Sequence, residues 1–207
     1  MRKVVCMCEN SFEADLPERV DLDAEPGRLD EILAGAFFKV ACPSCGAVLK
    51  PELPVRLSSR KRGMDVQVLP ELDRLAFYLD RVQAPKEAEV LVGYAELYER
   101  ARILADGLDP LAVEIVKYYL ALKAEEKAAE GAAVLIAYAG LEGSGEAEKL
   151  LFHVSGIKEG EVAVLHVGRD YYERTLADKR KTLQSEPFDK LFAGQYKSIR
   201  ALEAEAD

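Results

Sequence analysis

The 207-residue chain carries 28 Lys and Arg against 37 Asp and Glu, a formal charge of −9, and 49% of its residues are apolar. That apolar share is enough to bury a core and excludes a disordered chain, while the negative balance disfavours nucleic acid or an anionic membrane surface as a partner. No run approaches the ~18 uninterrupted apolar residues of a membrane-spanning helix; the longest, such as residues 132–139, are strand-sized.

In chain order, short strands are expected over residues 2–6 and 10–16, flanking Cys6-Met7-Cys8. A short helix over 26–34 follows, with Pro26 at its start and Leu29, Ile32 and Leu33 on one face. Residues 37–41 then lead into Cys42-Pro43-Ser44-Cys45-Gly46, and 47–57 lead out of it. All four cysteines of the chain stand in these two pairs.

Thiols used only for packing would be scattered, whereas two short pairs separated by a strand-and-helix stretch can converge on one tetrahedral ion. Pro43 fixes φ in a tight turn, and Gly46 permits the positive φ often needed on leaving it. In the first pair only one residue intervenes, and Glu9 stands where a glycine would be expected. We read Cys6, Cys8, Cys42 and Cys45 as ligands of a structural Zn²⁺. A disulfide framework and a redox pair at Cys42 and Cys45 are the alternatives. The start of the chain lacks the apolar run of a secretory leader, which favours reduced thiols in the cytoplasm, and the sequence flanking the second pair is strand-like on both sides.

These stretches carry a resemblance. The first cysteine pair, residues 37–46, the strand ending at Val68-Leu69-Pro70 and Ala105-Asp106-Gly107-Leu108-Asp109 together resemble the CpXC family of bacterial and archaeal proteins, named for its Cys-Pro-x-Cys motifs. The resemblance implies a zinc-ribbon-like fold over about residues 1–120 and implies no particular activity. Cys6-Met7-Cys8 departs from the family pattern, which has Cys-Pro-x-Cys-Gly there.

Residues 64–69 alternate apolar and polar and pair with 47–57 as a hairpin, so the first domain is expected to be a small antiparallel sheet with zinc at one end. The hairpin tip is basic: Arg56, Arg60, Lys61 and Arg62. Such a tip can touch phosphate, which gives a nucleic-acid-associated protein as a second functional reading. Without interleaved aromatic residues, a solvated turn explains it as well.

A polar, proline-containing stretch at 80–88 suggests a boundary between a zinc-ribbon-like domain, 1–80, and an α+β domain, 88–207. In the second domain a strand is expected over 89–93, then helices over 94–105 and from Pro110 to about 129, joined by Gly107 and capped by Asp109. The second helix is nearly all apolar, so an αα-hairpin packed on a sheet is expected rather than a DNA-reading helix-turn-helix. A three-strand meander over 133–141, 149–157 and 162–168 follows, and then helices over 171–183 and 188–205.

If Glu159-Gly160 forms a two-residue turn, the last two strands place His153 opposite His166, about 5 Å apart. A metal-dependent hydrolase built on that pair is the third reading. No phosphate-binding glycine loop, Gly-x-Ser-x-Gly elbow or His-Glu-x-x-His helix is present, no catalytic residue is assigned, and the sequence favours a non-enzymatic protein. The overall expectation is an α+β zinc-binding protein that engages a protein partner and no membrane.

Overall fold

A computed structural model describes residues 1–128, 132–158 and 160–205. It is a mixed α+β structure that divides into two compact units, Met1–Ala101 and Arg102–Asp207. Each is taken by itself.

The first unit opens with a hairpin, β1 (Arg2–Val5) and β2 (Ser11–Ala14), in which Val4 faces Phe12. β3 (Arg19–Asp21) comes next, then α1 (Gly27–Leu33), which buries Leu29 and Ile32 as its apolar spacing predicts. A second, minimal hairpin, β4 (Val40–Ala41) and β5 (Val48–Leu49), leads to β6 (Val55–Ser59) and β7 (Met64–Leu69). A 3₁₀ turn, Glu71–Asp73, and the short α2 (Arg74–Tyr78) carry the chain to β8 (Glu89–Val92).

The main sheet runs β3-β6-β7-β8. Val55 and Leu57 of β6 and Val66 and Val68 of β7 alternate into the core, the two-residue period of a half-buried sheet. This sheet is mixed and not purely antiparallel as expected, because β3 joins β6 and β7 joins β8 in parallel. Parallel neighbours need crossover connections. The polar 80–88 stretch, expected to be a domain boundary, lies in the β7–β8 crossover, and β8 belongs to the first unit. The second cysteine pair lies in the other crossover, between β3 and β6.

Buried charge ties the unit together. Arg74 donates to Glu96 at 2.9 Å, to both oxygens of Glu71 at 2.6 and 2.9 Å, and to the Val92 carbonyl at 2.8 Å, while Glu96 also accepts the Val92 N–H. The guanidinium thereby locks the turn after β7 onto the end of β8. α3 (Tyr94–Ala105) follows, and the division between units falls within it.

In the second unit, α4 (Pro110–Glu125) starts at Asp109, whose carboxylate accepts the Ala112 N–H, with Pro110 in its first turn. Residue 129, where the helix was expected to end, lies outside the described residues. The meander is β9 (Leu135–Glu142), β10 (Lys149–Ser155) and β11 (Val162–Gly168), in the order β11-β10-β9. Leu150, Phe152 and Val154 of the central strand are fully buried with Val113, Ile115 and Val116 of α4.

α5 (Arg169–Thr182) packs on α4, which also rests on β9. The apolar face of α4 is therefore shared between a sheet and a helix later in sequence. The helix expected over 188–205 is broken: α6 covers Phe188–Leu191, and a 3₁₀ segment covers Ile199–Glu205. Gly194 and the polar residues around it interrupt the helical pattern. Lys117 and Glu114 form a buried ion pair at 2.8 Å, and the second oxygen of Glu114 accepts the Ile199 N–H at 2.9 Å.

Removing Arg74 leaves Glu96 buried without this cation. Arg74→Ala is expected to destabilise the protein by about 3–5 kcal/mol, read as a lower denaturant midpoint in urea unfolding followed by circular dichroism.

Candidate metal centre

The two cysteine pairs sit at the tips of the two small hairpins, and the tips share one construction. In the first, the Cys6 N–H donates to the Asn10 carbonyl and the Glu9 N–H to the Cys6 carbonyl, both at 2.9 Å. In the second, the Cys42 N–H donates to the Ala47 carbonyl at 2.8 Å and the Gly46 N–H to the Cys42 carbonyl at 2.9 Å.

In each, the residue directly after the second cysteine has a left-handed backbone: Glu9 at φ 65° and Gly46 at φ 73°. The first tip is thus a copy of the second shortened by one residue. Glu9 holds the conformation that the glycine holds in the other.

The tips bring four sulfurs together. All four Sγ atoms lie within 4.8 Å of one another, with Cys6 to Cys45 at 3.6 Å and Cys8 to Cys42 at 3.7 Å. A disulfide needs roughly 2 Å, and the four thiols are free. A tetrahedral ion with Zn–S bonds near 2.3 Å sets its ligands at corners about 3.8 Å apart, which these separations fit. Cys6 and Cys42 are buried, whereas Cys8 and Cys45 face outward.

The aromatic base of the second hairpin explains its placement. Phe37 and Phe38 stack at 4.2 Å, Tyr94 lies 5.8 Å from Phe37, and the Tyr94 hydroxyl donates to the Leu53 carbonyl at 2.9 Å. Arg2 at the foot of the first hairpin donates to the Pro54 carbonyl at 2.9 Å. The second hairpin is thus anchored on both sides of its cysteines, and the first by its opening strand.

Backbone and amide donors make the site asymmetric. The N–H groups of Cys45 and Ser44, together with the Asn10 amide 3.7 Å away, hold the Cys42 thiol down to about 6 despite its burial. At Cys6 the N–H of Cys8 favours the thiolate, but burial and protons shared with the other three sulfurs outweigh it and push the thiol up to about 12. Cys45 is likewise raised: the Ala47 N–H works against the shift, and contacts with Cys8 and Cys42 drive it. Cys42 is thus the sulfur most favoured as a thiolate, and a divalent cation would displace protons from Cys6 and Cys45. Asn10 was not singled out in the sequence; its place two residues beyond Cys8 is the only signal there.

The other sequence candidates do not assemble into sites. Arg56 makes a bidentate pair with Asp65 of β7 at 2.8 and 2.9 Å and a third bond to Glu87 of the β7–β8 crossover at 2.9 Å, so its charge is spent on carboxylates of its own unit. Asp23 accepts the Ser59 hydroxyl at 2.6 Å and the Lys61 N–H at 3.1 Å, and lies 3.9 Å from Arg62. The basic tip is therefore partly neutralised by its own fold.

The histidines are not opposite each other: His153 pairs with Val164, and His166 with Leu151. The connection is longer than the expected two-residue turn, whose Glu159 lies outside the described residues. Gly156 leaves the ladder at φ 90°, where an added Cβ would stand 2.0 Å from the Ala133 carbonyl, and pairing resumes only at Val162. His166 instead lies 3.1 Å from Glu142. Asp109 caps α4 as expected, but Asp106 accepts the Tyr138 hydroxyl at 2.7 Å. Among the described residues, the four cysteines alone form a group able to hold a metal ion, and no helix is long and apolar enough to cross a membrane.

Two short hairpins presenting four converging thiols define a protein with a four-cysteine cluster that could hold a metal ion. The chain belongs to the CpXC protein family, whose model matches residues 4–117. It is also 27% identical, over 97% of both chains, to an uncharacterized protein of Treponema pallidum (strain Nichols). No solved structure matches it.

The left-handed pair yields opposed expectations. Glu9→Gly is expected to stabilise the protein by about 1 kcal/mol, and Gly46→Ala, which meets no atom within 4 Å, to destabilise it by a similar amount through backbone strain alone. Thermal melts of both variants, measured with and without added metal, check this.

Proposed function

We propose that the protein binds one Zn²⁺ through Cys6, Cys8, Cys42 and Cys45, and that this closed site is structural. The observation supporting this is the spacing of the four sulfurs, which suits a tetrahedral ion and is too wide for disulfides. Four thiolates leave no open position for an activated water, so the metal joins the two hairpins as a zinc-ribbon-like module and contributes folding free energy of roughly 10 kcal/mol or more, as in small zinc modules.

The net charge of such a centre, −2, is eased by the N–H groups and the Asn10 amide directed at the sulfurs. We take the compartment to be a reducing one, the cytoplasm, because a four-thiolate site needs cysteines that are not oxidised to disulfides. The module presents Val5, Met7 and Val48, all exposed around the cysteines, as an apolar contact surface for a protein partner. The internal pairing of Arg56 and Arg62 argues against a nucleic-acid role, and the offset of His153 from His166 against a hydrolase.

Elemental mass spectrometry of the purified protein is expected to give one zinc per chain, and Cys42→Ser to bring it below about one tenth. A metal-free protein with two fewer titratable thiols would sink the assignment. The pH dependence follows from the sulfurs. Protons held by Cys6 and Cys45 must leave when zinc binds, so apparent affinity falls as pH falls. Cys42, held down to about 6, is expected to be mostly thiolate at pH 7. It adds its own proton to the competition only as pH drops through about 6. A plot of log affinity against pH, from titration with a chromogenic chelator, is expected to steepen by one proton there.

A further inference from the structure

We propose that the four-cysteine site responds to oxidants: a hydroperoxide oxidises Cys8 and Cys45, each is captured by the buried cysteine it touches on the opposite hairpin, and Zn²⁺ is released. The inference rests on the zinc reading above and concerns how that same site is emptied and refilled.

Its ground is the way exposure and contact are distributed over the four residues. Cys6 and Cys42 are only 4% and 2% exposed, whereas Cys8 and Cys45 are exposed. Each sulfur contact takes one of either kind: Cys45 lies 3.6 Å from Cys6, and Cys8 lies 3.7 Å from Cys42. Each hairpin therefore offers one cysteine to solvent and holds one back, and the one held back rests against the exposed cysteine of the other hairpin. An accessible sulfur beside a second, resolving sulfur is the arrangement that reversible thiol oxidation requires.

The chemistry balances at each pair. The Cys8 thiolate attacks one oxygen of the hydroperoxide, the O–O bond breaks, and the departing oxygen takes a proton to leave as an alcohol, or as water from hydrogen peroxide. Cys8 is then a sulfenic acid. The Cys42 thiolate attacks its sulfur, the S–O bond breaks, and the hydroxide leaves as water with a second proton. Two thiolates, one hydroperoxide and two protons thus give one disulfide, one alcohol and one water, with two electrons passing from sulfur to oxygen. Cys45 and Cys6 repeat the sequence.

The first disulfide removes two of the four ligands, and the two sulfurs that remain are too few for a closed zinc site. Closing from 3.6 or 3.7 Å to roughly 2 Å is a displacement that rotation of the exposed cysteine side chains can supply. The products span 39 and 34 positions, so they tie the hairpins to each other after the ion has gone. A bond within one tip would close a loop of three or four residues and leave the hairpins independent. Reduction by a thiol returns all four ligands.

The test uses the full chain, loaded with zinc and counted for zinc and thiols before any oxidant is added. Hydrogen peroxide is then added at about one to ten equivalents per chain with a chromogenic chelator present, and the product is digested without reduction and mapped by peptide mass. Zinc is expected to leave in step with the first two thiols, peptides linked Cys8 to Cys42 and Cys6 to Cys45 are the expected products, and dithiothreitol with added zinc restores both counts. Met7 is 98% exposed between the first two ligands and is itself open to peroxide. Met7→Leu is expected to release zinc at a rate within about twofold of the unaltered chain, since the cysteines and not the thioether are the reacting groups.

A chain that holds no zinc before oxidation overturns the metal reading, and the release proposal falls with it. A chain that starts with zinc and keeps it, with four reduced thiols, at about ten equivalents of peroxide overturns the release proposal alone. Links within a tip, Cys6 to Cys8 or Cys42 to Cys45, overturn it too, as does a Met7→Leu chain that no longer releases zinc.

Discussion

The first unit depends on the meeting of four sulfurs drawn from two hairpins that barely qualify as secondary structure. β4 and β5 have two residues each, too few to be stable alone. What fixes them is covalent geometry at the tips, the aromatic stack beneath and the sulfurs' common centre. The same tip construction occurs twice, with a left-handed residue after the second cysteine and reciprocal backbone bonds. The convergence therefore does not rely on a large apolar surface, and the mixed sheet beneath can be assembled from short strands.

The second unit is organised on a different principle. Its core is a conventional layer of α4 against β9 and β10, with Phe152, Leu150 and Val116 at the centre. Its buried polar groups are satisfied in pairs: Glu114 with Lys117 and the Ile199 N–H, and the Tyr172 hydroxyl with the Asp109 N–H at 2.8 Å. The family match extends to residue 117 and so enters this unit, taking in Asp109 and the first half of α4.

Much of this was legible because the signals were local. Cysteine spacing pointed to the convergence of the four sulfurs, the alternation of Met64, Val66 and Val68 named a strand, and Asp109-Pro110 named a helix start. What escaped reading was set by distant partners. Arg19-Val20-Asp21 looks like a charged loop until Val20 is buried beside Leu57 in a parallel pair. The 80–88 stretch looks like a linker because parallel connections are polar and exposed, as linkers are. The histidine register failed on Gly156, whose departure from the ladder is dictated by the close approach of Ala133. Glu9 in a glycine-like conformation could be suspected only by comparing it with Gly46.

The placement of the cysteines also orders events in time. The two sulfur contacts span 39 and 34 positions and are complete at residue 45, whereas the main sheet closes only with β8, which ends at Val92. A chain made from its N-terminus therefore possesses every proposed ligand while half of the supporting strands are still unmade. Under the proposed metal binding, uptake during synthesis would let the centre form first, as a scaffold on which the later strands are laid.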